Sequence, residues 1–126
     1  ALTYCAERQA FGKPILANQG LQWELADVAT DLEAARLLLY RAAFALDKGE
    51  ESIAESAHAK KFASRVAFTG ISQCMQAMGA AGLRTDTPLF RHLATAKMTH
   101  YMDGTTEIQN VVISREILRQ YGIRAE

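Results

Sequence analysis

"NQGLQWELADVATDLEAARLLLYRAAFALDKG", Asn18 to Gly49, decides the fold. Within it Leu21, Leu25, Val28, Leu32, Ala35, Leu39, Ala42 and Leu46 recur at spacings of three and four residues, the period that lays apolar side chains along one face of an α-helix. The positions between them are rich in Ala, Glu, Gln and Arg, which enter a helix with little loss of side-chain freedom. The spacing predicts one long amphipathic helix from about Asn18 to Lys48, ended by Gly49.

Towards the C-terminus the same period continues. Ser52 and Glu55 have capping-box spacing, and Ile53, Ala57, Phe62, Val66, Phe68, Ile71 and Met75 predict a second long helix to about Met78, closed by "GAAG" at Gly79 to Gly82. Thr87 ahead of Pro88 predicts a helix from Pro88 to about His100. Ile108, Val111, Val112, Ile117 and Leu118 predict a last helix from about Thr105 to Tyr121. Towards the N-terminus, Leu2, Cys5 and Ala6 share a face of a helix expected from Ala1 to about Ala10, stopped by Gly12 and Pro14 and followed by a short extended link. "DKGEES", Asp47 to Ser52, is short enough to be an interhelical turn. The expected fold is all-α: an antiparallel, up-and-down four-helix bundle with an extra short helix, in a single domain spanning residues 1–126.

Composition narrows the function. Fourteen Lys and Arg balance 14 Asp and Glu, so no charge excess points to nucleic acid or an anionic membrane. No apolar run reaches the about eighteen residues of a membrane span. Cys5 and Cys74 have no disulfide or zinc spacing, which fits a reducing compartment, and His58, His92 and His100 are too scattered to read as metal ligands. The opening residues lack the pattern of a signal peptide and read as a helix already under way, so the chain is expected to be one end of something longer.

"YMDGTTEIQ", Tyr101 to Gln109, is the stretch with chemical content. It sets a carboxylate, Asp103, just ahead of a helix start, where the dipole favours the charged form. From the residues alone Asp103 reads as a base, a helix cap or the remnant of a base. Gly104 admits a close backbone approach or is a turn glycine, Thr105 is a cap or a ligand contact, and Met102 is a pocket wall or core filler. Arg8 reads as a solvated charge, Phe11 as core and Gln19 as a surface cap when each is taken by itself.

At "YCAERQAFGKPILANQ", "QCMQAMGAAGL" and "YMDGTTEIQNVVISREIL", in that order along nearly the whole chain, the sequence resembles the acyl-CoA dehydrogenases in their C-terminal helical domain; "RLLLYRAA" is also characteristic. The resemblance implies a longer flavoprotein, with an N-terminal helical and a middle β-domain absent here, that oxidises an acyl-CoA thioester to its α,β-enoyl form. A carboxylate takes the α-proton while hydride passes to the N5 atom of FAD. The resemblance places Asp103 at the base position and Met102 and Gly104 against the substrate. Arg8, Phe11, Gln19, Gln76, Gly79, Thr105 and Glu107 then meet FAD, with Arg8 and Phe11 reaching a cofactor held mainly by a neighbouring subunit. It also implies a homo-oligomer, dimer or tetramer, built through the bundle, electron-transfer flavoprotein as acceptor, and a bacterial cytoplasmic or mitochondrial matrix location. By itself the 126-residue chain is expected to show no turnover.

Three positions depart from the family pattern. Aspartate replaces the usual glutamate at 103, retracting the basic oxygen by about 1.5 Å. Ala80 stands where a second glycine is usual, and "LATAK", Leu93 to Lys97, replaces Arg-Asp-Ala-Lys. These changes support an alternative reading: a non-catalytic assembly and FAD-contact module of a degenerate or heteromeric complex.

Overall fold

The computed structural model describes residues 1–124. Its five α-helices are α1 (Leu2–Glu7), α2 (Gln19–Asp47), α3 (Ile53–Met78), α4 (Leu89–Met98) and α5 (Thr106–Gln120), with single 3-10 turns at Ile15–Ala17 and Gly79–Leu83. α2 and α3 form a long antiparallel hairpin, and α3 is the common partner against which α2, α4, α5 and α1 all pack. The fold is all-α, as the periodicity predicts, and α2 and α3 begin and end within a residue of the expected bounds.

The first element is the largest departure. The predicted helix to Ala10 stops at Glu7, and in place of the short extended link expected after Pro14 a minimal antiparallel hairpin follows at once, β1 (Gln9–Ala10) and β2 (Lys13–Pro14), with Gln9 opposite Pro14. Phe11 and Gly12 make its turn with φ of 52° and 78°, the pair of left-handed residues that matches the natural twist of two strands. Arg8 already has the extended conformation, and its carbonyl accepts from the Ile15 amide at 2.9 Å. Two-residue strands are too short for alternation to show in sequence.

The α2 face that turns inward also differs from expectation. Val28, Ala35, Ala42 and Ala45 are buried, whereas Leu32, Leu39 and Leu46, assigned to the same inward stripe, are 48%, 50% and 62% exposed. Small residues at the crossing let two helices approach closely, and the long leucines one turn away are then pushed outside the seam. The closeness is visible at Gly70 of α3, where a β-carbon would lie 3.3 Å from Val28 Cγ1.

Two predicted caps are replaced by other contacts. Ser52 stands at the N-cap of α3 but its side chain makes no capping bond, and the carboxylate of Glu55, its expected partner, accepts instead from Arg41 of α2 at 3.0 Å. Thr87 donates to the Arg84 carbonyl at 2.9 Å, leaving Pro88 at the start of α4. Thr105 does cap α5, its hydroxyl oxygen accepting from the Ile108 amide at 3.4 Å. The same hydroxyl and the backbone amide of Glu107 itself donate to the Glu107 carboxylate and hold its pKa below the ordinary glutamate value.

Gly82 is buried, and a β-carbon there would sit 2.7 Å from the Met75 carbonyl oxygen and 2.8 Å from its Cα. Gly82→Ala is therefore expected to destabilise the fold by about 1–3 kcal/mol. Gly20→Ala, at an open position in α2, is expected to stabilise by up to about 1 kcal/mol. Thermal and urea denaturation of the two variants checks both signs.

A carboxylate whose pKa is lowered by folding adds stability above its unfolded pKa and loses it as pH falls through the folded value. Thr105→Ala is expected to cost about 1 kcal/mol near neutral pH through the lost cap. It should also narrow the loss of stability between about pH 6 and pH 3, because Glu107 returns towards its ordinary value. Urea titrations of both proteins across that range measure the difference.

Candidate functional site

Between α4 and α5 the chain makes an elbow rather than a simple turn. Asp103 and Gly104 are consecutive left-handed residues, with φ of 50° and 91°. Aspartate tolerates this conformation better than most residues, and glycine adopts it freely. At Gly104 a β-carbon would also come within 2.8 Å of Gln109 Nε2, which could give way only by leaving the elbow's carbonyls, so the φ of 91° and this contact together favour glycine before any ligand is considered.

The elbow's carbonyl groups are held by two side chains distant from it in structure or in sequence. Lys60 of α3 donates from Nζ to the Thr99 carbonyl at 3.3 Å and also to the Gly104 carbonyl. Gln109, buried on the first turns of α5, donates from Nε2 to the Asp103 and Gly104 carbonyls at 3.3 Å each. Each carbonyl left without a donor in such a setting would cost about 1–3 kcal/mol. Neither residue stands out in sequence: Lys60 is one of an ordinary lysine pair, and Gln109 resembles any glutamine in a helix.

With Thr105 supplying the cap, the capping role is closed to Asp103. Its carboxylate makes no side-chain hydrogen bond or ion pair among the described residues. Instead Asp103 lines a groove of about 360 Å³ together with Lys60, Ala63, Ser64, Ala67, Thr99 and Met102. The floor is mainly small side chains of α3, with Met102 and Asp103 on the wall made by the elbow. A carboxylate beside an apolar groove can take a proton from a molecule lying in it, with water displaced as the groove fills.

The other sequence-predicted residues lie elsewhere. Gln19 opens α2 and Gln76 and Gly79 close α3, so the antiparallel hairpin brings them to the same end. α1 is tied to that end by Cys5, whose thiol donates to the Ala77 carbonyl at 3.7 Å. Arg8 and Phe11 follow directly. Phe11 is fully exposed at the hairpin tip, which excludes the core role, and Arg8 forms no ion pair among the described residues. Lys60 and Gln76 are sixteen residues apart on α3, about 24 Å of helix. The candidate residues thus form two groups: Arg8, Phe11, Gln19, Gln76 and Gly79 at one end, and Met102, Asp103, Gly104, Thr105 and Glu107 at the elbow. Among the described residues no three His, Cys, Asp or Glu side chains gather as a metal site, and no helix is long and apolar enough to cross a membrane.

Comparison with known proteins agrees with this architecture. A family model described as "Acyl-CoA dehydrogenase, C-terminal domain" matches residues 1–118. The human mitochondrial short-chain specific acyl-CoA dehydrogenase is 42% identical over 121 residues, covering 96% of this chain and 29% of its own length. Butyryl-CoA dehydrogenase from Megasphaera elsdenii superposes with a TM-score of 0.91 at 36% identity, over 94% of this chain and 31% of that one. An FAD complex of PigA superposes with a TM-score of 0.88 at 32% identity, over 98% and 31%. The chain therefore spans less than a third of the length of these relatives, and by the family match and the fold it belongs to the acyl-CoA dehydrogenase family through the C-terminal domain.

Proposed function

We propose that the chain is the C-terminal bundle of an FAD-dependent acyl-CoA dehydrogenase and that Asp103 is the base of its α,β-desaturation. The observation that carries this reading is the elbow: an aspartate relieved of capping that lines a groove of small walls. An acyl chain in that groove would present its α-hydrogen to Asp103, whose carboxylate takes the proton while the β-hydrogen leaves as hydride, giving the enoyl thioester. Met102 and the Gly104 backbone bound the acyl group, and filling the groove removes the water that would otherwise solvate the carboxylate.

The residues at the other end fit a flavin dinucleotide. A bare phenyl ring at a hairpin turn and, three residues before it, a guanidinium with no ion pair among the described residues suit an aromatic ring system and a pyrophosphate. Arg8, Phe11, Gln19, Gln76 and Gly79 would hold that group, and Thr105 and Glu107 would meet one near the elbow. Bound FAD supplies the hydride acceptor. The separation of the two groups by about 24 Å of helix supports a homo-oligomer, dimer or tetramer, in which each copy completes a cofactor site begun by another. The outward side chains of α2, Trp23, Leu32, Leu39, Tyr40, Phe44 and Leu46, give such an assembly its apolar surface. In this reading an acyl-CoA is the substrate, electron-transfer flavoprotein takes the electrons, and the location is the bacterial cytoplasm or the mitochondrial matrix.

The test uses the full-length flavoprotein that carries this chain and follows anaerobic bleaching of the flavin by a panel of acyl-CoAs. Asp103→Asn is expected to slow bleaching by at least about 10²-fold with FAD retained. Bleaching unchanged in Asp103→Asn would remove Asp103 from the chemistry. A parent that does not bleach, with activity appearing in Asp103→Glu, would instead favour the assembly-module reading.

A further inference from the structure

We infer that Lys60 is a positioning residue for the base: its ammonium group, bridging the Thr99 and Gly104 carbonyls, sets where the Asp103 carboxylate stands in the groove. The inference rests on the reading of Asp103 as base and adds a residue to it. Lys60 sits near the first turns of α3, more than forty residues from Gly104 in sequence. It is half-buried, it lines the same groove as Asp103, and its amine is engaged at both ends of the elbow, on Thr99 where α4 has ended and on Gly104 where α5 is about to begin.

The geometry makes this more than a surface contact. Asp103 and Gly104 both have positive φ, a conformation that a free chain gives up readily for an L-residue and that persists when its surroundings determine it. Gln109 pins the elbow from the α5 side, through the Asp103 and Gly104 carbonyls. On the α4 side the His100 ring also meets Phe68 of α3 edge-on, with centroids 5.9 Å apart, but among the described residues Lys60 makes the only hydrogen bonds between the elbow and α3, the helix that forms the groove floor. The amide of Thr106 does bond the His100 carbonyl at 3.2 Å, but that bond closes the elbow on itself. Loss of the ammonium group therefore frees the Gly104 side of the elbow relative to the floor, and with it the distance from the carboxylate to a bound acyl chain. A displacement of about 1 Å at a reacting group costs on the order of a hundredfold in rate.

The experiment is again on the full-length flavoprotein, with Lys60→Met, which keeps the stem and removes the donors, and Lys60→Arg, which keeps a cationic donor. Lys60→Met is expected to lower the limiting rate of anaerobic bleaching at saturating acyl-CoA by about 10²-fold, with FAD retained and acyl-CoA affinity changed by less than about threefold. Lys60→Arg should recover at least about tenfold of that loss. On an Asp103→Asn background Lys60→Met should cost nothing further, because the group it positions is gone. A Lys60→Met protein that bleaches at the parent rate overturns the inference. So does a loss of rate matched by an equal loss of affinity and not recovered by Lys60→Arg, which would mark a purely structural lysine. If Lys60→Met does not fold, Lys60→Gln takes its place with the same expected split between rate and affinity. Parent-like bleaching in Asp103→Asn alone would instead refute the base assignment, and that outcome is read independently of either lysine variant.

Discussion

The close crossing of α2 and α3 is the constraint from which the other distances follow. Val28, Ala35 and Ala42 repeat every seven residues on α2, and Gly70 leaves room for Val28 on α3. Small side chains at that seam draw the two axes together, so α3 is held along its length and can serve as the floor for α4, α5 and α1. Lys60 and the groove beside Asp103 inherit their placement from it. Alanine contributes little apolar area per residue, however, and burial stabilises by only about 25 cal/mol for each Å². An alanine-rich seam buys proximity at the expense of core volume, and the large apolar side chains are left on the outer face of α2 and at Phe11, Phe90 and Tyr121. A molecule built in this way is suited to having its outside covered.

The long elements were legible in the sequence because their period extends over many turns. What a period of three and four does not disclose is which edge of an apolar stripe faces inward. In α2 the stripe contains both alanines and leucines, all apolar, and the choice falls to whichever set allows the neighbour to approach. Caps were legible only where no other group competed, near as for Thr87, whose hydroxyl turns to the Arg84 carbonyl, or distant. Thr105 caps α5 as its position implies, whereas Glu55 leaves Ser52 for Arg41 on another helix. The hairpin at Gln9–Pro14 escaped because its whole signal is one Phe-Gly pair.

At the site the local half was readable and the tertiary half was not. Asp103, Gly104 and Thr105 lie in one contiguous block, and Asp-Gly before a Thr cap already indicates an elbow at a helix start. The residues that hold the elbow in place come from the N-terminal part of another helix and from the turn beyond the cap. A lysine that reaches two carbonyls has the same sequence appearance as one that reaches water, because the difference lies in which backbone it finds.

The fixed elbow limits how the aspartate at position 103 reaches a substrate. A carboxylate shortened by about 1.5 Å could be compensated by moving the loop that bears it, the side chain or the substrate. The loop is the least free of the three: carbonyls of Thr99, Asp103 and Gly104 are all engaged by Lys60 or Gln109, and the Gly104 conformation is closed in by Gln109 itself. The side chain swings about Cα–Cβ and turns its oxygens about Cβ–Cγ, one torsion fewer than a glutamate has. The floor opposite is made of Ala63, Ser64 and Ala67, side chains short enough to let an acyl group lie deeper against α3. On the reading of Asp103 as base, the missing reach is therefore met from the substrate's side, by the same preference for small residues on α3 that brings α2 close.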